Sequence, residues 1–188
     1  MLRNIFILMG LLILTARSGN AADSGGQIIC ESRYALCSSA LCKPIPGSST
    51  EVSCACEGPL NGLNIANSSC KARTDMLKST FSLHDPSTTG GKSAKSALAC
   101  VGDNANAWAF CLDAPCTIEA GVATCRCMLQ ARSDYYTFVD TCPTNASALR
   151  AACGQLWSGA SRAELESGFS QLASFFEYPP NLEHCRAP

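Results

Sequence analysis

Histidine is nearly missing, with two in 188 residues, and charge is sparse at 15% of the chain. Neither sign of charge dominates: 14 Lys+Arg stand against 15 Asp+Glu, a formal net charge of -1. With no basic run, the electrostatic footprint of a nucleic-acid binder is absent, and no nucleic-acid partner is expected. The 14 Gly and 9 Pro are too few for a collagen-like chain, and the low charge excludes a charge-rich disordered one. Aromatic residues, at 7%, leave little bulk for a core. What the chain has in quantity is cysteine, 14 of them.

Residues 1–21 read as a secretory signal peptide. Arg3 supplies a positive start, "IFILMGLLIL" an apolar run of ten, and Gly19 and Ala21 small residues before a cleavage point. Ten apolar residues rise about 15 Å as a helix, half of a hydrocarbon core of about 30 Å, so the segment is too short for an anchor. No later stretch approaches 18 apolar residues, and no membrane association is expected after cleavage. Cleavage would remove Arg3 and Arg17 and leave 12 Lys+Arg against 15 Asp+Glu, a net of -3. All 14 cysteines would survive, and an even number behind a signal peptide predicts seven disulfides in an oxidising compartment, secreted or periplasmic.

The cysteines recur in order. Cys30, Cys37, Cys42, Cys54, Cys56 and Cys70 match Cys100, Cys111, Cys116, Cys125, Cys127 and Cys142. The x4 and x spacings are unchanged, and "ALCSSALC" at 35–42 matches "AFCLDAPC" at 109–116 as "EVSCAC" at 51–56 matches "VATCRC" at 122–127. This self-similarity predicts two copies of one module. The expected organisation is module 1 over 22–84, a Pro/Gly/Ser-rich linker over 85–96, module 2 over 97–143 and a helical segment over 144–188. Cys153 and Cys185, left over in that segment, pair with each other by elimination.

"EVSCAC" and "VATCRC", with β-branched residues and a period of two, read as short strands. Residues i and i+2 of a strand lie about 6.6 Å apart and are badly aimed at each other, so each C-x-C pair should reach two different partners. "KPIPGSST" and "EGPLNGLNIANSS" read as loops. In the C-terminal segment, Leu149, Cys153, Leu156 and Trp157 share one helical face. A second helix opens on a capping box, Ser161 with Glu164, carries Leu165, Phe169, Leu172 and Phe176 in a stripe, and stops at Pro179 and Pro180. The fold class expected is small and disulfide-rich: two duplicated short-strand and loop modules followed by a C-terminal helical hairpin, α+β and loop-rich.

Catalytic signals are lacking. Neither His84 nor His184 has a nucleophile motif such as G-x-S-x-G nearby, and both read as surface residues. "TTGGKS" at 88–93 echoes a phosphate-binding loop, but Pro86 stands where that pattern needs Gly. "DNANAW" at 103–108 lacks the acidic spacing of a calcium loop. Two thiolates in C-x-C can hold Zn(II) or Cu(I), yet no His or Met gathers around Cys54, Cys56, Cys125 and Cys127, so disulfides are expected there and no metal or cofactor. Asn67-Ser68-Ser69 and Asn145-Ala146-Ser147 are sequons, to be glycosylated where a eukaryotic secretory pathway makes the chain.

The spacing C-x6-C-x4-C-x11-C-x-C at 30–56 resembles that of EGF-like modules. The resemblance implies Cys30–Cys42, Cys37–Cys54 and Cys56–Cys70, and in the second copy Cys100–Cys116, Cys111–Cys125 and Cys127–Cys142. The Gly-aromatic element of that family is missing after Cys56 and Cys127. The chain as a whole resembles a group of bacterial secreted cysteine-rich proteins, through "ALCSSALCKP", "STFS" at 79–82, "WAFCLDAPCT" at 108–117 and "LWSGAS" at 156–161. That resemblance implies no assigned activity.

The function expected is a non-enzymatic, secreted or periplasmic binding or structural protein whose partner is an extracellular or periplasmic protein or ligand. A protease inhibitor is the alternative, since rigid bridged loops dock preorganised. A secreted enzyme or a thiol metal binder comes after it. The enzyme would need His84, His184 or carboxylates such as Asp113 and Glu119 brought together by folding.

Overall fold

The computed structural model describes residues 26–81, 95–173 and 184–185. The expected signal peptide lies outside them, as do most of the expected linker, His84, Phe176, Pro179 and Pro180. The protein is small and disulfide-rich, and its described residues are mostly strand, with two α-helices.

The alternation in "EVSCAC" and "VATCRC" builds the centre. It extends into two long strands, β3 (Glu51–Ala66) and β8 (Val122–Ser133), which pair antiparallel with Cys54 opposite Cys125. Val52, Cys54 and Cys56 turn inward with Ala123, Cys125 and Cys127, all buried, while the residues between them face out. Each long strand is then used twice on its far side. β1 (Ile28–Leu36) pairs with the later part of β3, and β2 (Cys42–Pro44) with its start. β6 (Asn106–Phe110) pairs with the later part of β8, and β7 (Cys116–Glu119) with its start. A separate two-stranded sheet joins β5 (Ser96–Cys100) to β9 (Tyr135–Val139). "EGPLNGLNIANSS", expected as loop, is strand as far as Ala66, because β1 satisfies its backbone groups in register from Ile28 opposite Ala66.

Short parallel strands close both edges of the main sheet: β4 (Lys78–Thr80) on β1 and β10 (Ser158–Gly159) on β6. Each also crosses to the other half. The Ser79 hydroxyl donates to the carbonyl of Cys111 and its N–H to that of Ala114, 2.9 Å; the Ser158 hydroxyl donates to Cys37 and its N–H to Ala40, 2.8 Å. Cys116 N donates to Leu77 and Cys42 N to Leu156, both 2.9 Å.

Between the helices, α1 (Ala146–Cys153) and α2 (Arg162–Ala173), the chain runs as β10 along the edge of the sheet, so the expected C-terminal helical hairpin is not formed. Leu156 and Trp157, expected on α1, lie beyond its end, where their backbones bond to Cys42 and Ala109 in the strands. The capping box does form: Ser161 N donates to Glu164 Oε2 at 2.8 Å and Glu164 N to Ser161 Oγ at 3.3 Å. Leu165 of α2 is buried with Phe81, Ala97, Phe138 and Ala160.

All seven expected disulfide pairings are replaced. Cys37 bonds Cys56 and Cys42 bonds Cys54; Cys111 bonds Cys127 and Cys116 bonds Cys125. Cys30 bonds Cys70, Cys100 bonds Cys153, and Cys142 bonds Cys185. The reason is the hairpin. An antiparallel hairpin brings residues together in nested order around its turn, so the third cysteine meets the fourth and the second meets the fifth. Cys42 lies directly opposite Cys54, and Cys116 opposite Cys125, each pair with Cα atoms 4.0 Å apart. The crossed order of EGF-like modules (first to third, second to fourth) cannot be laid on such a hairpin. Each C-x-C pair does reach two different partners. Elimination failed at Cys153 because an intervening stretch places it, rather than Cys142, where α1 ends beside Cys100.

Candidate functional site

Three places in the fold gather side chains with chemical content. The first is the sulfur core. The four nested bridges lie together between the halves, with Ala35, Ala109 and Ala123 as small buried neighbours. Sulfur and alanine make up most of this space, with Val52 buried among them and Leu77, Leu129 and Leu156 packed at its rim. Cys54 and Cys111 sulfurs, from different bridges and different halves, approach to 3.6 Å. Three sets of sulfurs each lie within 4.8 Å of one another: Cys37, Cys56 and Cys125; Cys37, Cys111 and Cys127; Cys42, Cys54 and Cys111. The distances would suit a soft metal, but every one of these sulfurs is in a disulfide and carries no thiolate to ligate with.

The second is a buried ion pair. Arg73, whose side chain has no exposure, pairs with Asp113 across the halves and donates from its other terminal nitrogen to the Ser79 carbonyl at 2.9 Å. The second carboxylate oxygen of Asp113 accepts the backbone N–H groups of Asn67, 2.8 Å, and Ser68, 2.6 Å. Asp113 is thus fully engaged, on a backbone held at φ 62°. Nothing in the sequence marked Arg73: a lone Arg in "CKARTD" reads as surface, and only the fold supplies its partner. Glu119, the other carboxylate considered, is exposed at the β7–β8 hairpin. His184, also exposed, forms a backbone bridge with Ala97. The structure therefore gives Asp113 a structural partner and sets His184 and Glu119 on separate elements.

The third is the outward face of β2, β3, β8 and β7. Lys43, Ala55, Glu57, Thr117, Arg126 and Met128 are exposed on it, and Arg126 donates to Glu51 at 2.6 Å across the central pair. The face is mixed in polarity, with long side chains (Lys43, Glu57, Arg126 and Met128) beside the short Ala55 and Thr117. At its ends stand the 45–50 loop, with Ser48 N bonded to the Ile45 carbonyl at 3.0 Å, and the Ala120–Gly121 hairpin turn, flanked by exposed Ile118 and Val122.

Both sequons are exposed: Asn67 follows β3, and Asn145 caps α1, its Oδ1 accepting from Ala148 N at 2.9 Å. One aromatic site is shifted in acidity. Burial pushes the Tyr135 phenol up to about 12, where it donates to the Cys153 carbonyl at 3.3 Å and its ring stacks on Trp108 with centroids 5.8 Å apart. Among the described residues no helix is long and apolar enough to cross a membrane. Seven bridges with no free cysteine mark a stabilised, extracellular-type protein formed under oxidising conditions. No protein-family model, curated protein or solved structure matches the chain.

Proposed function

We propose that this is a non-enzymatic, secreted or periplasmic binding or structural protein built from two copies of one disulfide module, and that the outward face of β2, β3, β8 and β7 is its contact surface. The carrying observation is that face. It is exposed across four strands while its back is riveted by four bridges, so the backbone that carries the contact residues is already held in place and no loop has to be ordered there on binding. The matched positions of Cys54 and Cys125, and the same nested pairing in each half (Cys37–Cys56 and Cys42–Cys54 against Cys111–Cys127 and Cys116–Cys125), support the two-copy reading. The partner is an extracellular or periplasmic protein or ligand.

The test is a binding screen of the oxidised protein against polysaccharides, matrix proteins and proteases, repeated with Thr124→Lys and Met128→Glu. A ligand whose affinity falls at least about tenfold in these variants, with bridges and circular dichroism unchanged, supports the surface. Binding untouched by them, or catalytic turnover of a screened substrate, overturns it.

One observation favours a second reading, protease inhibition. The 45–50 loop is exposed and clamped at its base by Cys42–Cys54. Inhibition of a protease that is lost when residues 45–50 are replaced by a Gly-Ser linker, with the outward face intact, would favour this reading over the first.

A further inference from the structure

We infer that the four core bridges form a continuous path for internal thiol–disulfide exchange, running from Cys116 at one edge to Cys42 at the other. Exchange needs a thiolate next to a disulfide sulfur, and passes through attack, bond formation and expulsion of the other sulfur. Each bridge has a neighbour placed for this. Cys125 lies within 4.8 Å of both sulfurs of Cys37–Cys56; Cys37 lies within 4.8 Å of both sulfurs of Cys111–Cys127; Cys111 lies within 4.8 Å of both sulfurs of Cys42–Cys54. The last of these gaps is 3.6 Å at Cys54, an ordinary non-bonded sulfur contact. The remaining bridges, Cys30–Cys70, Cys100–Cys153 and Cys142–Cys185, have no cysteine in these sets.

The path has an entry. Cys116 is half-buried, while Cys125, Cys37, Cys111 and Cys54 are buried. An external dithiol attacking Cys116–Cys125 would leave as its own disulfide and release two thiols. The Cys125 thiolate then bonds Cys56 and expels Cys37 as thiolate. Cys37 in turn bonds Cys127 and expels Cys111, which attacks Cys42–Cys54. Each step forms one S–S bond, breaks one, and moves the negative charge to the expelled sulfur, so no further oxidant or reductant enters. Burial disfavours each thiolate, which sets the pace at the minutes-to-hours scale of uncatalysed rearrangement. The bridges therefore act as one redox unit, and a partner that reduces the exposed edge gains access to sulfurs it cannot touch.

The test is Cys116→Ser in the otherwise oxidised protein, held at about pH 8, quenched in acid, alkylated and mapped by peptide mass spectrometry. The odd thiol starts on Cys125. The expected result is that the Cys125 share falls at least about twofold over hours, with label appearing on Cys56 or Cys37 and a Cys125–Cys37 or Cys125–Cys56 peptide alongside. Label confined to Cys125 overturns the path. So does label on Cys30, Cys70, Cys100 or Cys153, which would report global opening instead. Should Cys116→Ser fail to fold, wild-type protein opened at Cys116–Cys125 by a limiting phosphine, and isolated by chromatography, gives the same readout. There the label on Cys125 must decay while that on Cys116 persists.

Discussion

At the scale of single residues, the fold concentrates its demands in a few places where charge or space is confined. Arg73 and Asp113 form a pair whose removal on one side leaves a buried guanidinium unmatched. Asp113→Asn should cost about 3–5 kcal/mol, read as a lower urea midpoint, and more than Asp113→Asn together with Arg73→Met, which removes the buried charge as well. Gly159 is a packing requirement. A Cβ there would lie 2.8 Å from both a ring carbon of Tyr135 and the carbonyl of Tyr136. Gly159→Ala should destabilise by about 1–3 kcal/mol, seen as a drop in Tm, because the backbone on one side cannot retreat. Tyr135 gives a pH signature. Its phenol stays neutral in the fold up to about 12 against an ordinary 10.0, so the contribution is intact below pH 10 and is lost as pH rises toward 12. An ultraviolet titration should show Tyr135 ionising later than an ordinary tyrosine and together with loss of the near-ultraviolet circular dichroism; ionisation near 10 with the fold intact would refute its burial. In the sequence Arg73, Gly159 and Tyr135 did not stand out, and Asp113 did so only as a possible catalytic carboxylate, since each depends on a partner 40 positions away or on a neighbouring strand.

At the scale of elements, local chemistry was legible and pairing was not. The Ser161–Glu164 box and the period of two around both C-x-C pairs name their elements without help from the rest of the chain. Asn145, met in the sequence only as a sequon, also acts locally: its side-chain Oδ1 accepts from Ala148 N and caps α1, and Asn145→Ala should cost about 1 kcal/mol of stability in a thermal melt, with Asn145→Ser recovering most of it. The Ala120–Gly121 turn is also local, with φ of 49° and 82° that fit a tight two-residue hairpin. The length of β3 is not local. "EGPLNGLNIANSS" carries the Gly, Pro and Asn of a loop, and becomes strand as far as Ala66 because β1 pairs with it from Leu60 to Ala66 and again at Glu57, with a bulge at Gly58 and Pro59. For the same reason the segment after α1 enters the sheet at Ser158 instead of turning back as a helical hairpin.

At the scale of the molecule, the two halves hold each other. β3 and β8 pair directly, Ser79 and Ser158 each reach across, and the four inner bridges meet at the seam. Disulfide mapping of the native protein should return Cys100–Cys153 and Cys142–Cys185, and an intact mass about 14 Da below the fully reduced value, two hydrogens for each of seven bridges. Replacing Cys100 and Cys153 together by Ser removes a crosslink of separation 53, for which the chain-entropy model gives about 4 kcal/mol, read as a shift in the denaturant midpoint. The sequence by itself determined the class: an even set of cysteines, low charge and few aromatics point to a small protein held by disulfides, because composition alone limits what a core can contain, while how much of the chain is strand was decided by pairing. It also determined that the two sulfurs of each C-x-C pair part company, since strand geometry is local. Which cysteine meets which was decided only by the tertiary structure. Pairing follows the register of strands far apart in the chain, and a one-dimensional spacing holds no record of which strands lie side by side.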